Sequence, residues 1–417
     1  MENKFDLIIV GGSMVGATLA CALADSPLKI AIIEAHTPEA FDQQQSHDLR
    51  VSALNIASEQ VLRNVGVWQS ILDKRSCVYR RLKTWELDES RAATEFDCAD
   101  SQQDHLGYII ENRVIQLALL ERIQRAENLH LFKNNVASID IQAGASLLTL
   151  DNEKQLITKL IVGADGANSM VRRAAGIGIH SWDYSQSALV INVEMAQGQQ
   201  DITWQQFTPS GPLAFLPLSG NSASLVWYGE PDKIARLSAL DNETLCQQIM
   251  QQFPAALGKV NKVLAKGAFP LKRQHAQQYV KPGVALVGDA AHLIHPLAGQ
   301  GVNIGILDAA QLAQTIEQAA GDRISSADEY AYNSDDDFSS LAVLQDYERK
   351  RRNHNLLVMQ LMDSFYRVFS NQIAPLKALR NIGLGVAQRI PFARKKAMQL
   401  AMGITGPLPP LARTSNQ

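Results

Sequence analysis

The chain opens on apolar blocks separated by small-residue turns. Asp6–Val10, DLIIV, is a continuous apolar run of the kind a central parallel strand needs when both of its faces are covered. VGATLACALADS follows with helical, small-residue character, and Leu28–Ala35, LKIAIIEA, reads as a second buried strand ending in Glu34. The idea recurs twice. Lys159–Gly176, KLIVGADGANSMVRRAAG, predicts a buried strand, a glycine turn and a helix capped by Asn168 or Ser169. Gly283–Ile316 predicts a strand ending at Gly288-Asp289, then a loop with Pro296, Gly299 and Gly301, then a helix from about Asn303. Between these blocks the period changes. ALVINVEMA, ITWQQFTP, LAFLPL and ASLVWYG alternate, which predicts antiparallel strands with one face for solvent and one for a binding site.

Length and charge bound these elements. With 417 residues the chain accommodates two domains, or one domain with a large insertion. The uncharged stretch Leu7–Ala24 is 18 residues long, but Gly11 and Gly12 break it and acids precede it, so it predicts strand, turn and helix rather than a membrane span. A formal net charge of -3 gives no electrostatic case for nucleic acid as a partner. Cys21, Cys77, Cys98 and Cys246 are scattered without C-x-x-C or metal-ligand spacing. That suits a reduced, cytoplasmic setting and excludes a flavin disulfide reductase.

The chemistry gathers at the strand ends. VGGSMVG, Val10–Gly16, is close to the dinucleotide fingerprint, with Ser13 at the middle glycine position. Gly11 permits the tight turn, Gly16 permits close helix–strand packing, and Ser13 is small enough to sit beside a phosphate and donate to it. Glu34 lies 18 residues beyond Gly16, where an acid accepts from ribose hydroxyls. Asp165 marks the second motif. Asp289 at a strand end suits a ribityl hydroxyl, and the backbone of Gly301, Val302 and Asn303 offers donors at a helix N-terminus. Pro296 would wall a ring. Three such motifs, in this order, predict one FAD site and no metal site. His292 and His295 flank the third motif and are read as hydrogen-bonded structural residues.

These motifs resemble those of the single-component FAD aromatic hydroxylases. RVSALNIASEQVLRNVGVW, AGIGIHSWDYSQSALVINV, TWQQFTPSGPLAFLPL, ASLVWY and HPLAGQGVNIG are similar to the ubiquinone-biosynthesis branch of that family over nearly the whole chain. The resemblance implies an α/β fold: a Rossmann-type FAD-binding domain (1–75, 106–180, 275–330), an inserted antiparallel-sheet substrate domain (76–105, 181–274), and an acidic loop with C-terminal helices (331–417). It also implies Arg50 near flavin and active site, and Arg113 at the FAD phosphate or ribityl region. Trp204, Gln206, Phe215, Pro217 and Trp227 are the candidates for the substrate face, with plain core packing as the alternative. Arg50, Pro296, Trp204, Gln206 and Phe215 form the expected catalytic set.

The activity so implied is hydroxylation of a polyprenyl benzoquinol ring of the 3-demethoxyubiquinol type. NAD(P)H, a transient co-substrate, reduces FAD, dioxygen adds to the flavin, and the hydroperoxide oxygen passes to the ring. Water must be excluded, which suits an apolar substrate face. The alternatives are attack at another ring position, a soluble phenol as substrate, a flavin-dependent prenyl reductase, or a non-catalytic flavin- or quinone-binding accessory protein. Gly321–Ser340 reads as an exposed acidic loop. From His354 to Thr405 seven basic residues face one acid, Asp363, among apolar positions. That amphipathic tail is expected to meet the inner-membrane surface, another protein of the same biosynthesis, or the FAD domain itself.

Overall fold

The computed structural model describes residues 3–86, 93–101, 103–142, 144–294, 301–325, 337–369, 402–404 and 406–413. Pro296, Gly299, His295, most of the acidic loop and most of the basic tail lie outside them.

The apolar blocks form one parallel sheet. Val284–Leu286, Gln155–Gly163, Lys4–Val10, Ile30–Ile33 and Leu129–Phe132 lie side by side, all parallel. Leu7, Ile8, Ile9, Ile30, Ile32, Leu160 and Ile161 are fully buried in it, as strands covered on both faces require. The register aligns the strand ends: Val10 pairs with Gly163 and with Ile33, and Gly163 pairs with Leu286. The Gly11 turn, Glu34, Asp165 and Asp289 therefore leave the sheet along a single carboxyl edge, where ligands of open parallel sheets sit.

The alternating segments form a second sheet, in the order His292–Leu293, Val260–Ala276, Ile179–Met195, Ser222–Gly229, Leu213–Pro217, Ile202–Phe207, Arg81–Glu86, Ala93–Asp97. It is antiparallel except at one seam, where Ile202–Phe207 runs parallel to Arg81–Glu86. That seam departs from the expectation of an antiparallel sheet. The two strands are far apart in sequence, so no hairpin fixes their direction. A three-stranded sheet (Val51–Asn55, Gly107–Glu111, Cys77–Tyr79) bridges to the first layer. The helix Gly301–Ser325 packs against Met14–Ala22 and against Leu341–Phe369. Among the described residues no helix is long and apolar enough to cross a membrane.

One face of the second sheet is closed by the helices Pro231–Ala239 and Asn242–Gln252. Leu189, Leu225, Phe215, Trp204 and Trp227 pack there against Ile234, Leu245, Ile249 and Phe253. Trp204 stacks on Phe215 with ring planes 9° apart. Phe215 thus belongs to the sheet–helix core. Phe215→Ala is expected to cost about 3–5 kcal/mol of stability, read by urea unfolding, while leaving the purified protein's colour unchanged.

Candidate active site

A cavity of about 1320 Å³ runs from the carboxyl edge of the parallel sheet to the open face of the second sheet. At one end it is lined by Gly11, Ser13, Glu34, Asp165 and Arg113, and at the other by Leu82, Ala188, Leu216, Val226 and Tyr228. Arg50, Asp289, Gly301 and Val302 lie along it.

The first turn is built for contact. Gly11 has φ +101, and a Cβ there would stand 2.3 Å from the Ala164 carbonyl oxygen. A Cβ on Gly16 would stand 1.9 Å from the Gly11 oxygen. Ser13 is the N-cap residue of Met14–Ala22, and its hydroxyl makes no capping bond. Glu34 accepts from the Gly12 amide at 2.8 Å and the His36 amide at 2.9 Å. Those bonds hold the carboxylate in place at the cavity wall, with lone pairs left over for hydroxyl groups. Sequence reasoning passed over Gly12, although the doubled glycine signalled it: a Cβ there would lie 2.8 Å from that of Glu34.

At the second motif, Asp165 Oδ2 accepts from the Met170 and Val171 amides at 2.6 and 3.2 Å. Its Oδ1 is buried without a partner. Ser169 caps the helix Met170–Ala174, accepting from the Arg172 amide, as the sequence predicts. At the third motif, Asp289 lies deep in the molecule with its carboxylate open to the cavity. Burial raises its pKa, and the neighbouring His292 and Arg50 oppose that without cancelling it. Arg50 and Asp289, 239 positions apart, thus share one electrostatic neighbourhood.

Arg113, expected at the FAD phosphate or ribityl region, lines the cavity. Its guanidinium grips Asp48 through Nε at 2.9 Å and Nη2 at 3.1 Å, at the cavity wall. Asp48 and Gln116, which donates to the Gly12 oxygen at 3.2 Å, were not legible as site residues. Nothing in their local sequence marks them. Asn303, expected beside Gly301 and Val302 at the cofactor, is buried and does not line the cavity with them. Its side chain accepts from the Asn55 amide at 3.1 Å and donates to the Ala53 oxygen at 2.8 Å, sewing the helix start to a neighbouring strand.

Most of the candidates for the substrate face lie on the side of the sheet away from the cavity, in keeping with the alternative of core packing. Thr203, Gln205, Ala214, Leu216, Ser224, Val226 and Tyr228 line the cavity. Gln206, Phe215, Pro217 and Trp227 do not line it, and Trp204 lines it only while packed in the helix-covered core. Side chains alternate with period two, so a choice between neighbouring residues is a choice between faces. Aromatic content alone does not make that choice. The helices Pro231–Ala239 and Asn242–Gln252 do, because the larger side chains fill the space beneath them.

Behind the third motif sits a buried polar cluster. Asp308, fully buried, accepts from His292 Nε2, from Arg351 Nε at 2.8 Å, from Asn355 at 2.9 Å and from the Gly288 amide at 3.3 Å. Burial raises its pKa, but His292 and Arg351 outweigh that and hold it well below the usual carboxylate range. His292 is thereby a structural residue, as expected. Next to it, burial first and the neighbouring His292 second push His275 down to about 4.

Two outcomes follow from this cluster. Asp308→Asn leaves Arg351 buried beside a neutral group and should cost about 3–5 kcal/mol, measured by urea unfolding at neutral pH. His275 stays neutral in the folded chain while its unfolded counterpart protonates near pH 6.5. Its contribution is intact above that pH and is lost as pH falls towards about 4. Unfolding midpoints of His275→Gln should therefore decline less steeply over that window, by up to about 1.4 kcal/mol per pH unit.

Known proteins place this architecture. The family described as FAD binding domain matches residues 4–334. The chain is 41% identical over 400 residues to the 3-demethoxyubiquinol 3-hydroxylase of Escherichia coli, covering 96% of this chain and 98% of that protein. It is 33% identical to the mitochondrial ubiquinone biosynthesis monooxygenase COQ6 of Danio rerio, covering 96% and 90% respectively. Among solved structures, p-nitrophenol 4-monooxygenase PnpA from Pseudomonas putida superposes with a TM-score of 0.76 at 17% identity, covering 96% of this chain and 98% of that one. PqsL, a probable FAD-dependent monooxygenase from Pseudomonas aeruginosa, gives 0.70 at 21%, covering 92% and 99%. With its glycine turn, its strand-end motifs and a long cavity beside them, the chain belongs to the FAD-binding monooxygenase family and is a flavoprotein aromatic hydroxylase.

Proposed function

We propose that the chain hydroxylates the ring of a polyprenyl benzoquinol of the 3-demethoxyubiquinol type in ubiquinone biosynthesis, using FAD, NAD(P)H and dioxygen. The observation that carries this reading is the continuity of the cavity. A dinucleotide cradle at one end opens without a break onto an apolar sheet face at the other. The name of the Escherichia coli relative, matched over almost the full length of both chains, supplies the substrate class.

The residues fit the dinucleotide. The Gly11–Gly16 turn packs so closely that a Cβ on either glycine would strike backbone, which sets the helix N-terminus against the strand end, where a phosphate would meet its amides. The partnerless Asp165 Oδ1 is an acceptor in want of a donor, such as a water or hydroxyl brought in with the nucleotide. Glu34 would hold the ribose, Ser13 and the Met14–Ala22 N-terminus the pyrophosphate, and Asp289 the ribityl hydroxyls. Gly301 and Val302 would present amides to the ring's oxygen edge. The chemistry that bound FAD supplies is acceptance of a hydride from the reduced nicotinamide and delivery of one oxygen atom of dioxygen to the substrate.

The chain's own part is placement and dryness. Ala188, Leu216 and Val226 offer the quinol an apolar floor that sheds water. Arg50 brings positive charge beside Asp289, where negative charge develops on reduction. The Asp48 grip holds Arg113 at the wall of the cavity.

The decisive experiment is turnover of a prenylated benzoquinol with isotopically labelled dioxygen. One labelled oxygen atom in the ring product, with quinol-dependent oxidation of NAD(P)H, is expected. Nicotinamide oxidation without label in the product would instead mark a reductase, and no turnover at all would mark an accessory. Gly16→Ala should be purified without flavin colour, because the added methyl and the Gly11 carbonyl cannot share the same space.

A further inference from the structure

Resting on the quinol reading above, we propose that the C-terminal segment Met402–Ile404 closes the apolar end of the cavity, and that Met402 makes this end select for a ring carrying an isoprenoid chain. Val51, Leu82, Phe96, Leu216 and Met402 belong to one hydrophobic cluster and all line the cavity. The cluster gathers strands from the bridging sheet and from the second sheet, and its last member comes from the far end of the chain. The wall is therefore completed only when that end folds back.

Two anchors make the segment a fixed wall. The Met402 oxygen accepts from the Ala57 amide at 3.4 Å, and Ile404 packs into the same cluster. Further along, the Leu411 oxygen accepts from Asn64 Nδ2 at 2.8 Å, and Ala412 is buried in the main core. Both attachments fall on the helix Ile56–Asn64. Between them Gly403 has φ +70, and a Cβ on it would stand 2.2 Å from Asn55 Nδ2. Asn55 is also the residue whose amide donates to Asn303 at the start of the flavin-facing helix. The position of the wall and that of the helix start are thus referred to one residue.

The occupant follows from the division of the cavity. The charged end, with Glu34, Asp165 and Arg113, suits a dinucleotide. At the other end the Ala188–Val226 floor, which meets the Met402 cluster through Leu216, suits a ring. What remains is an apolar recess bounded by branched and aromatic side chains and by a thioether. Such a recess suits a branched five-carbon unit and leaves a bare ring with unfilled space beside it.

The test uses the full chain with FAD bound, in the wild type, Met402→Trp and Gly403→Ala. Binding of two oxidised benzoquinones, one unprenylated and one with two isoprenoid units, is titrated by perturbation of the flavin absorbance without reduced nicotinamide. The wild type should prefer the prenylated quinone by about tenfold or more, the scale of burying a few methylene groups. Met402→Trp, which fills the recess, should lower that preference by about tenfold, and Gly403→Ala, which shifts the wall, by about threefold. If Met402→Trp does not retain flavin, Met402→Phe takes its place and Gly403→Ala is read as before. An unchanged preference in flavin-loaded variants, or equal weakening of both quinones, overturns the proposal. Failure of the hydroxylation reading shows separately, as absence of labelled oxygen in the wild-type product while the binding preference persists.

Discussion

A methyl group has no place between Gly16 and the carbonyl of Gly11, and much of the molecule is arranged around that contact. The contact brings the Met14–Ala22 helix hard against the first parallel strand. It points the helix N-terminus, with its free amides, along the carboxyl edge of the sheet. Register does the rest. Because Val10, Ile33, Gly163 and Leu286 end level with one another, the acids that follow them leave from one line. An extended dinucleotide needs that line. Slippage of any one strand would take its acid out of it.

The second sheet solves a different problem. It must be apolar on both faces, one towards helices and one towards the cavity. Large aromatic side chains fill the helix side, where Trp204, Phe215, Trp227 and Phe253 meet. Small and branched ones, Ala188, Ala214, Val190 and Val226, line the cavity side. Volume is thus removed where a substrate needs room and added where a core needs density. The sheet is joined to the flavin-side motif through the pairing of His275 with His292. Asp308 ties His292 in turn to two long helices. Substrate floor and Asp289 turn are therefore parts of one rigid frame.

Much of the cofactor site was legible along the chain, because each of its motifs is local. A strand, a glycine and an acid within a short span report their own geometry, and Gly11, Gly16, Glu34, Asp165 and Asp289 all line or shape the cleft that their spacing predicts. The substrate face was not legible. TWQQF offers two residues of one parity and two of the other beside the central Gln205, and only the helices beneath the sheet decide which set is core. Arg113 was picked out and does line the cavity, but its partner Asp48 was not, since an ion pair between a loop and a helix start has no sequence period.

What the sequence by itself determined was the kind of fold and the identity of the nucleotide, since short-range sterics and hydrophobic period specify strand, turn and helix without outside help. The tertiary structure alone decided which sheet face meets the cavity. It also decided that Ile202–Phe207 runs parallel to Arg81–Glu86, and that Met402 packs among strands far earlier in the chain. Those outcomes rest on packing between segments remote in the chain, where the energy depends on which surfaces meet and no local pattern records the choice.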